Sequence, residues 1–205
     1  MTPRRDESQK SAGTLLGTLL KLIMDLVLGL VIAVIAAIPM VLTALYIKLT
    51  SRGPALHWSK RVGKNNQHFM MPKFRTMHLD TPQVASHLLT DPKKFLIVGG
   101  ALIRKLSLDE LPQLYSVFVG DMSLVGPRPA LHNQHDLIAL RTEKGIHRLK
   151  PGVTGWAQIN GRDELSITKK VEVDEYYLHN QSFFLDCKIT ILTVGKVLGM
   201  KGVSH

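Results

Sequence analysis

The run from Leu22 to Ile47 constrains this chain most: it is apolar throughout, broken only by one charge, Asp25, and by Pro39. As a helix at ~1.5 Å per residue it reaches about 39 Å, longer than a bilayer core. It is therefore read as a membrane segment. A cleaved leader fits less well, because the apolar part is too long and no small-residue cleavage site follows it. Arg4, Arg5, Lys10 and Lys21 precede the segment. Lys48, Arg52, Lys60, Arg61, Lys64, Lys73 and Arg75 follow it, with no acid between Lys48 and Arg75. Basic residues on both sides give no orientation for a crossing, but they suit a segment whose two ends stay on the cytoplasmic side. A helix that enters, breaks at Pro39 and returns has that property, and on the flanks and the proline alone crossing and re-entry fit equally well.

With 205 residues, the chain has room for this element and one domain of ordinary size. The expected division is a polar N-terminal segment over 1–20, the membrane helix over 21–48 and a soluble domain over 49–205. Lys and Arg outnumber acids 26 to 16, a net charge of +10, so the partners are anionic: nucleic acid, acidic lipid or phosphorylated substrate. Cys187, the sole cysteine, excludes an intrachain disulfide and a cysteine-based zinc cluster. After Lys48, turns are expected at Ser51-Arg52-Gly53-Pro54 and near Pro72. Short apolar pieces such as Phe95 to Val98 alternate with expected helices at about 107–119, 130–143 and 169–182. That pattern is α+β and helix-rich. Ser182 to Met200 suits an amphipathic helix on a membrane surface and a core helix equally.

Chemistry concentrates in Arg104-Lys105-Leu106-Ser107-Leu108-Asp109-Glu110-Leu111-Pro112-Gln113. Ser107 with Glu110 three residues on reads as a capping box, which starts a helix and places Asp109 in its first turn. Asp109 and Glu110 then have a plain reading, as cap and helix-dipole complement, and a functional one. In the functional reading the helix N-terminus favours an ionised Asp109 that attacks phosphorus or binds a divalent cation, with Glu110 as second ligand or base. Magnesium takes one or two carboxylates plus phosphate oxygens, which such a pair supplies. In Gly120-Asp121-Met122-Ser123-Leu124-Val125-Gly126-Pro127-Arg128-Pro129, two prolines stiffen the backbone around Arg128. The guanidinium is then presented for phosphate, or the turn is only a corner. A strand through Lys73-Phe74-Arg75-Thr76-Met77 turns Lys73 and Arg75 to one side. Pro151 to Arg162, with three glycines, reads as a loop in which Trp156, Gln158 and Asn160 hold a base or sugar, or as a connection. The nine histidines show no ligand spacing, and Walker, Rossmann and G-x-S-x-G patterns are missing.

In that order, the proline-containing membrane segment, Lys73 to Met77, Leu106 to Gln113, Asp121 to Pro129 and Pro151 to Arg162 resemble the bacterial sugar transferases, the monotopic phosphoglycosyl transferases, from about Lys21 to Met200. The resemblance implies the minimal catalytic form, seated on the cytoplasmic face of the bacterial inner membrane by a re-entrant helix and amphipathic interfacial helices. It implies a ping-pong reaction. Asp109 attacks the β-phosphate of a UDP-sugar, nucleoside monophosphate leaves, and a polyprenyl (undecaprenyl) phosphate takes the phosphosugar from the enzyme, the first membrane step of a surface glycan that glycosyltransferases extend. Mg2+ at Asp109 and Glu110, phosphate contacts from Lys73, Arg75, Arg104 and Arg128, and a polar cluster of Asp174 and Tyr177 are implied with it, as are anionic membrane lipids around the basic flanks. One departure stands out: the residue before the helix-breaking proline, often Ser in the family, is Ile38. The rival reading is a catalytically inert membrane-anchored scaffold for an acidic partner. A nucleic-acid binder is disfavoured by the low aromatic content, 6%, and by the membrane segment.

Overall fold

The computed structural model describes residues 4–82, 91–161 and 165–199. Arg162, the first three residues of the N-terminal segment and the last six of the soluble domain lie outside the described residues. The first helix, α1, runs Arg4–Thr50 with Pro39 inside it. Its burial follows a helical stripe: Met24, Asp25, Ala36, Thr43 and Ile47 are covered, while Leu30, Val34, Ile35, Ile38 and Leu42 on the other side are exposed. Over Gly17–Thr50 the mean hydropathy reaches 2.8 and only 17% of the most apolar window is buried, so α1 is not a mostly buried core helix and is long and apolar enough to anchor in a membrane.

Two small sheets follow. Strands β1 (Leu56–Val62) and β2 (His68–Phe74) form an antiparallel hairpin in which His57 faces Lys73 and Arg61 faces Phe69. The turn expected near Pro72 is instead strand: Pro72 lies within β2 opposite Trp58. Proline is tolerated there because β2 has a strand partner on one side only, so its missing N–H need break no ladder. The short α2 (Gly100–Lys105), a 3-10 helix at Leu108–Gln113 and α3 (Leu114–Phe118) lead to β3 (Ser123–Val125). Helix α4 (His135–Glu143) starts later than the expected 130, because the Gln134 side chain accepts the Leu131 N–H at 2.8 Å and closes a turn first. Strand β4 (Gly152–Thr154) pairs in parallel with β3 and is followed by α5 (Trp156–Ile159), α6 (Ile167–Asn180) and α7 (Phe183–Leu198). Ser166 and Ser182 cap the last two, accepting the Lys169 and Leu185 N–H groups at 3.2 Å. Helix α7 has one buried and one exposed apolar face. It buries Asp186 and Ile189 while Phe184, Ile191, Val194 and Val197 stay exposed.

The core joins α1 to the rest of the chain at two places. Near its middle, Met24 packs with Met71, Leu114, Val117, Leu124 and Ile189. Near its end, Ile47 packs with Phe74, Ile97 and Ile103. Polar ties reinforce the first contact: Asp25 accepts the Leu124 N–H at 2.9 Å, and Lys21 donates to the Val125 carbonyl at 3.0 Å and to Asp186 at 2.7 Å. A charge in an apolar helix is costly unless paired, and Asp25 and Lys21 both find partners on the domain.

Candidate active site

Asp109 sits in the 3-10 turn, and the capping box expected to open it does not form. Ser107 adopts the left-handed conformation (φ 54°, ψ 21°), and its hydroxyl makes no cap bond. A capping hydroxyl reaches the first-turn N–H groups from an extended N-cap, which Ser107 is not. Only its backbone carbonyl contributes, accepting the Glu110 N–H at 3.2 Å. With so short a helix the dipole gives Asp109 little, and burial decides its ionisation. Asp109 is 6% exposed and its Oδ1 is buried without a hydrogen-bond partner. Burial first and the Glu110 charge second push its carboxyl up to about 6, against the pull of Lys73, Arg104 and Arg128. Its carboxyl therefore titrates closer to neutrality than an ordinary aspartate and is mostly ionised at pH 7.

The cations converge from three elements. On β2, Lys73 is pushed down to about 8 by burial and then by Arg61, while Asp109 opposes the shift. Its cross-strand neighbour His57 is lowered by burial and by Lys73 and Arg61. On α2, burial pushes the Arg104 guanidinium down while Asp109 and Glu110 favour its charge, and its Nε donates to Thr76 Oγ1 at 2.9 Å. Arg128 donates from Nη2 to Glu110 Oε1 at 2.9 Å. Of the residues picked from the sequence, Lys73, Arg104, Asp109, Glu110 and Arg128 thus gather at one place.

Three others do not. Lys73 and Arg75 were expected on one side of a strand, but β2 ends at Phe74, and Arg75 turns away to donate to Pro54 O at 2.7 Å, Ser51 Oγ at 2.8 Å and Ser51 O at 3.3 Å. It closes the corner between α1 and β1. Asp174 accepts from Arg141 Nε at 3.0 Å and Nη2 at 2.6 Å, and Tyr177 donates to Asp186 Oδ1 at 2.7 Å. Burial raises both groups; Arg141 opposes this at Asp174, and Asp186 adds to it at Tyr177. The residues that sequence reasoning passed over are His57, Arg61 and Arg141. Period-two alternation from His57 through Ser59 to Arg61 would have put the first and last on the Lys73 face, had β1 been read as a strand.

The stretch read as a glycine-rich loop is a close-packed crossing. A Cβ on Gly152 would collide with Gly126 N and Thr154 O, and one on Gly155 with Gly126 O. These glycines let β3 and β4 approach and carry the chain past the base of the Arg128 turn. Trp156 stacks on Tyr176 (centroids 5.5 Å apart, planes at 24°), and Asn160 Nδ2 donates to Trp156 O at 2.8 Å. Gln158 alone of the three polar or aromatic residues singled out there has buried amide atoms without partners.

Among the described residues no three His, Cys, Asp or Glu side chains converge on a metal position. The unpartnered Asp109 Oδ1 beside Glu110 fits a different kind of ion, a magnesium that takes one or two carboxylates and completes its shell with substrate phosphate oxygens and water.

The sequence model of a family described as bacterial sugar transferase matches residues 16–200. Among curated proteins, the chain is similar to the uncharacterized sugar transferase EpsL of Bacillus subtilis, 47% identical over 168 residues that cover 81% of each chain. It is similar to the undecaprenyl-phosphate glucose phosphotransferase of Komagataeibacter xylinus, 43% identical over 76% of this chain and 31% of that one. A third relative is the UDP-glucose:undecaprenyl-phosphate glucose-1-phosphate transferase of Escherichia coli, 39% identical over 75% of this chain and 34% of that one. The match thus spans most of the Bacillus protein and about a third of the two larger ones.

Proposed function

Because the chain belongs to the bacterial sugar transferase family, we propose that it moves a sugar 1-phosphate from a UDP-sugar to undecaprenyl phosphate at the cytoplasmic face of the inner membrane, releasing UMP. The observation that carries this reading is the unpartnered Asp109 Oδ1, buried among Lys73, Arg104 and Arg128. A carboxylate oxygen without hydrogen bonds is a better nucleophile than a solvated one, and three cations receive the charge of a diphosphate. In the first half-reaction Asp109 forms a bond to the β-phosphorus. The bond from that phosphorus to the oxygen bridging it to the α-phosphate breaks, and UMP leaves with the oxygen and the electron pair. In the second, an oxygen of undecaprenyl phosphate bonds to the same phosphorus, Asp109 departs as carboxylate, and undecaprenyl diphosphate sugar is formed. Lys73, Arg104 and Arg128 hold the phosphates through both halves, with Glu110 keeping Arg128 in place. Mg2+, when bound at Asp109 and Glu110 with the substrate phosphates, neutralises charge on the diphosphate.

The proposed seating in the membrane rests on α1. Lys21 is tied to Asp186 and Val125, and Ile47 packs under Phe74, so points about 39 Å apart on the helix dock on one domain. This supports re-entry, with both ends on one side, over a crossing. The Pro39 ring leaves the Ile35 carbonyl without its helical donor on the exposed face of the helix, where Ile35 and Ile38 meet no packing that opposes a break. In a Cys187→Ser background, Ser11→Cys and Thr50→Cys are expected to react with a membrane-impermeant maleimide in inside-out vesicles and to be protected in right-side-out ones. Opposite protection of the two cysteines would establish a crossing.

The reaction itself is tested by exchange. With magnesium and no acceptor, labelled UMP is expected to enter the UDP-sugar pool for one member of a donor panel, the signature of a covalent half-reaction. Turnover without exchange would replace ping-pong by direct transfer, and neither activity in folded, membrane-bound protein would favour the scaffold. The rate of the first half-reaction is expected to fall below pH about 6, where Asp109 takes a proton. Lys73 favours the charged carboxylate, so Lys73→Met moves that limb to higher pH. Glu110 disfavours it, so Glu110→Gln moves the limb lower. A pH profile of single-turnover UMP release for the three proteins measures both shifts.

A further inference from the structure

The turn that presents Arg128 can be anchored almost only through its carbonyls, since Pro127 and Pro129 have no N–H to give. Four successive carbonyls each receive one donor. Pro127 O accepts from the Gly152 N–H at 2.9 Å and Ala130 O from the Val62 N–H at 3.0 Å. Between them, Arg128 O accepts from Arg141 Nη1 at 2.8 Å and Pro129 O from Arg61 Nη1 at 3.1 Å. Backbone holds the outer pair and two arginine side chains hold the inner pair. Arg141 is in turn fixed from behind, with Nε and Nη2 both on Asp174 Oδ2. Asp174 is 1% exposed and sits on α6 three residues before Tyr177, whose Oη lies 3.3 Å from Val125 O at the other end of the same strip of backbone.

We propose that Arg141 is a positioning residue for Arg128: one edge of its guanidinium is locked by buried Asp174, and the other holds the Arg128 carbonyl so that the Arg128 side chain meets Glu110 and the substrate phosphates. Asp174 and Arg141 therefore work behind the catalytic turn and not on substrate. The geometry demands a planar, two-edged cation. A lysine in place of Arg141 would pair with Asp174 and leave the Arg128 carbonyl without its donor. Fixing the carbonyl of a residue flanked by prolines fixes the direction of its side chain, and misplacement by about 1 Å costs on the order of 100-fold in rate.

This inference rests on the sugar-phosphate transfer proposed above, and a double-mutant cycle separates the two. UMP release is measured with the full chain, Arg141→Met, Arg128→Met and the double variant, each with a melting curve. Arg141→Met is expected to lose about 10- to 100-fold and to divide that loss between kcat and KM as Arg128→Met does. In the Arg128→Met background it is expected to lose nothing more. Should Arg141→Met melt before the assay, Arg141→Lys, which retains the charge facing Asp174, takes its place with the same expectation. Losses that multiply in the double variant, or an Arg141 variant as active as wild type, would overturn the positioning role and leave the transfer reaction standing. A wild-type chain that releases no UMP from any donor would overturn both.

Discussion

Asp109→Asn is expected to abolish UMP release and UMP exchange, a loss on the order of 10^4-fold or more, while the protein folds at least as well as wild type. The amide has the shape of the carboxylate and no anionic oxygen, so it cannot form the bond to phosphorus. The stability half of the prediction comes from the same burial that makes Asp109 reactive. Its folded pKa is raised to about 6, above an unfolded value near 4, so the folded state is favoured by the neutral form. The stability that goes with protonation is fully present below about pH 4 and lost as pH rises through about 6, on the order of 2–3 kcal/mol at pH 7. The asparagine side chain is neutral at every pH. The melting temperature of Asp109→Asn should therefore exceed that of wild type at pH 7, and the two should converge toward pH 4. A structural carboxylate would behave in the opposite way, with the variant less stable at pH 7 and activity reduced only in proportion to unfolding. The scaffold reading shares the stability gain, which burial alone dictates, and differs in that the wild-type chain itself releases no UMP, so melting and UMP release together separate all three.

The residues of the site were legible where chemistry and local pattern coincide. Asp109 beside Glu110, Arg128 between prolines and Arg104 one short helix upstream are visible in a linear string, and the structure gathers them with Lys73. What the string concealed is where side chains go once the chain turns. Arg75 differs from Lys73 by two positions, yet β2 stops between them, and Arg75 bonds Ser51 and Pro54 instead. Ser107 has the right neighbour for a capping box, but its left-handed backbone aims the hydroxyl elsewhere. Asp174 reaches the site only through Arg141, while Tyr177 bonds Asp186, Lys21 and the Val125 carbonyl and touches none of the gathered residues. Such contacts link residues that no local pattern brings together, and they appear only with the tertiary structure. The fold class, α+β and helix-rich behind a long apolar helix, followed from periodicity and survived. The glycines of 152–161 misled for a physical reason: glycine marks both loops and close approaches, and a single sequence does not distinguish freedom of φ from absence of Cβ.

That distinction yields the second large effect. Gly152→Ala is expected to cost about 3 kcal/mol or more, a large part of the 5–15 kcal/mol available to a domain of this kind, and to leave little folded protein. The added Cβ would strike backbone just past β3 and within β4, Gly126 N and Thr154 O, and backbone atoms cannot rotate out of the way as a flexible side chain does. Two other glycines calibrate the claim. Gly145 has open space around its missing Cβ but a φ of +75°, so Gly145→Ala should cost only the left-handed penalty of about 1–2 kcal/mol. Gly195, inside α7 with nothing within 4 Å and no positive φ, should gain up to about 1 kcal/mol on becoming Ala. Melting curves of the three single variants test the order Gly195→Ala, wild type, Gly145→Ala, Gly152→Ala, from most to least stable. An outcome in which Gly145→Ala is the worst would mean that backbone conformation, and not the β3–β4 approach, is what these glycines protect. The crossing also bears on catalysis, because the Gly152 N–H is the donor that holds the Pro127 carbonyl at the base of the Arg128 turn. Any Gly152→Ala protein that does fold must move β3 and β4 apart, and with them that hydrogen bond. Its residual activity should then fall further than its folded fraction, in the direction and with the kcat-to-KM division of Arg128→Met.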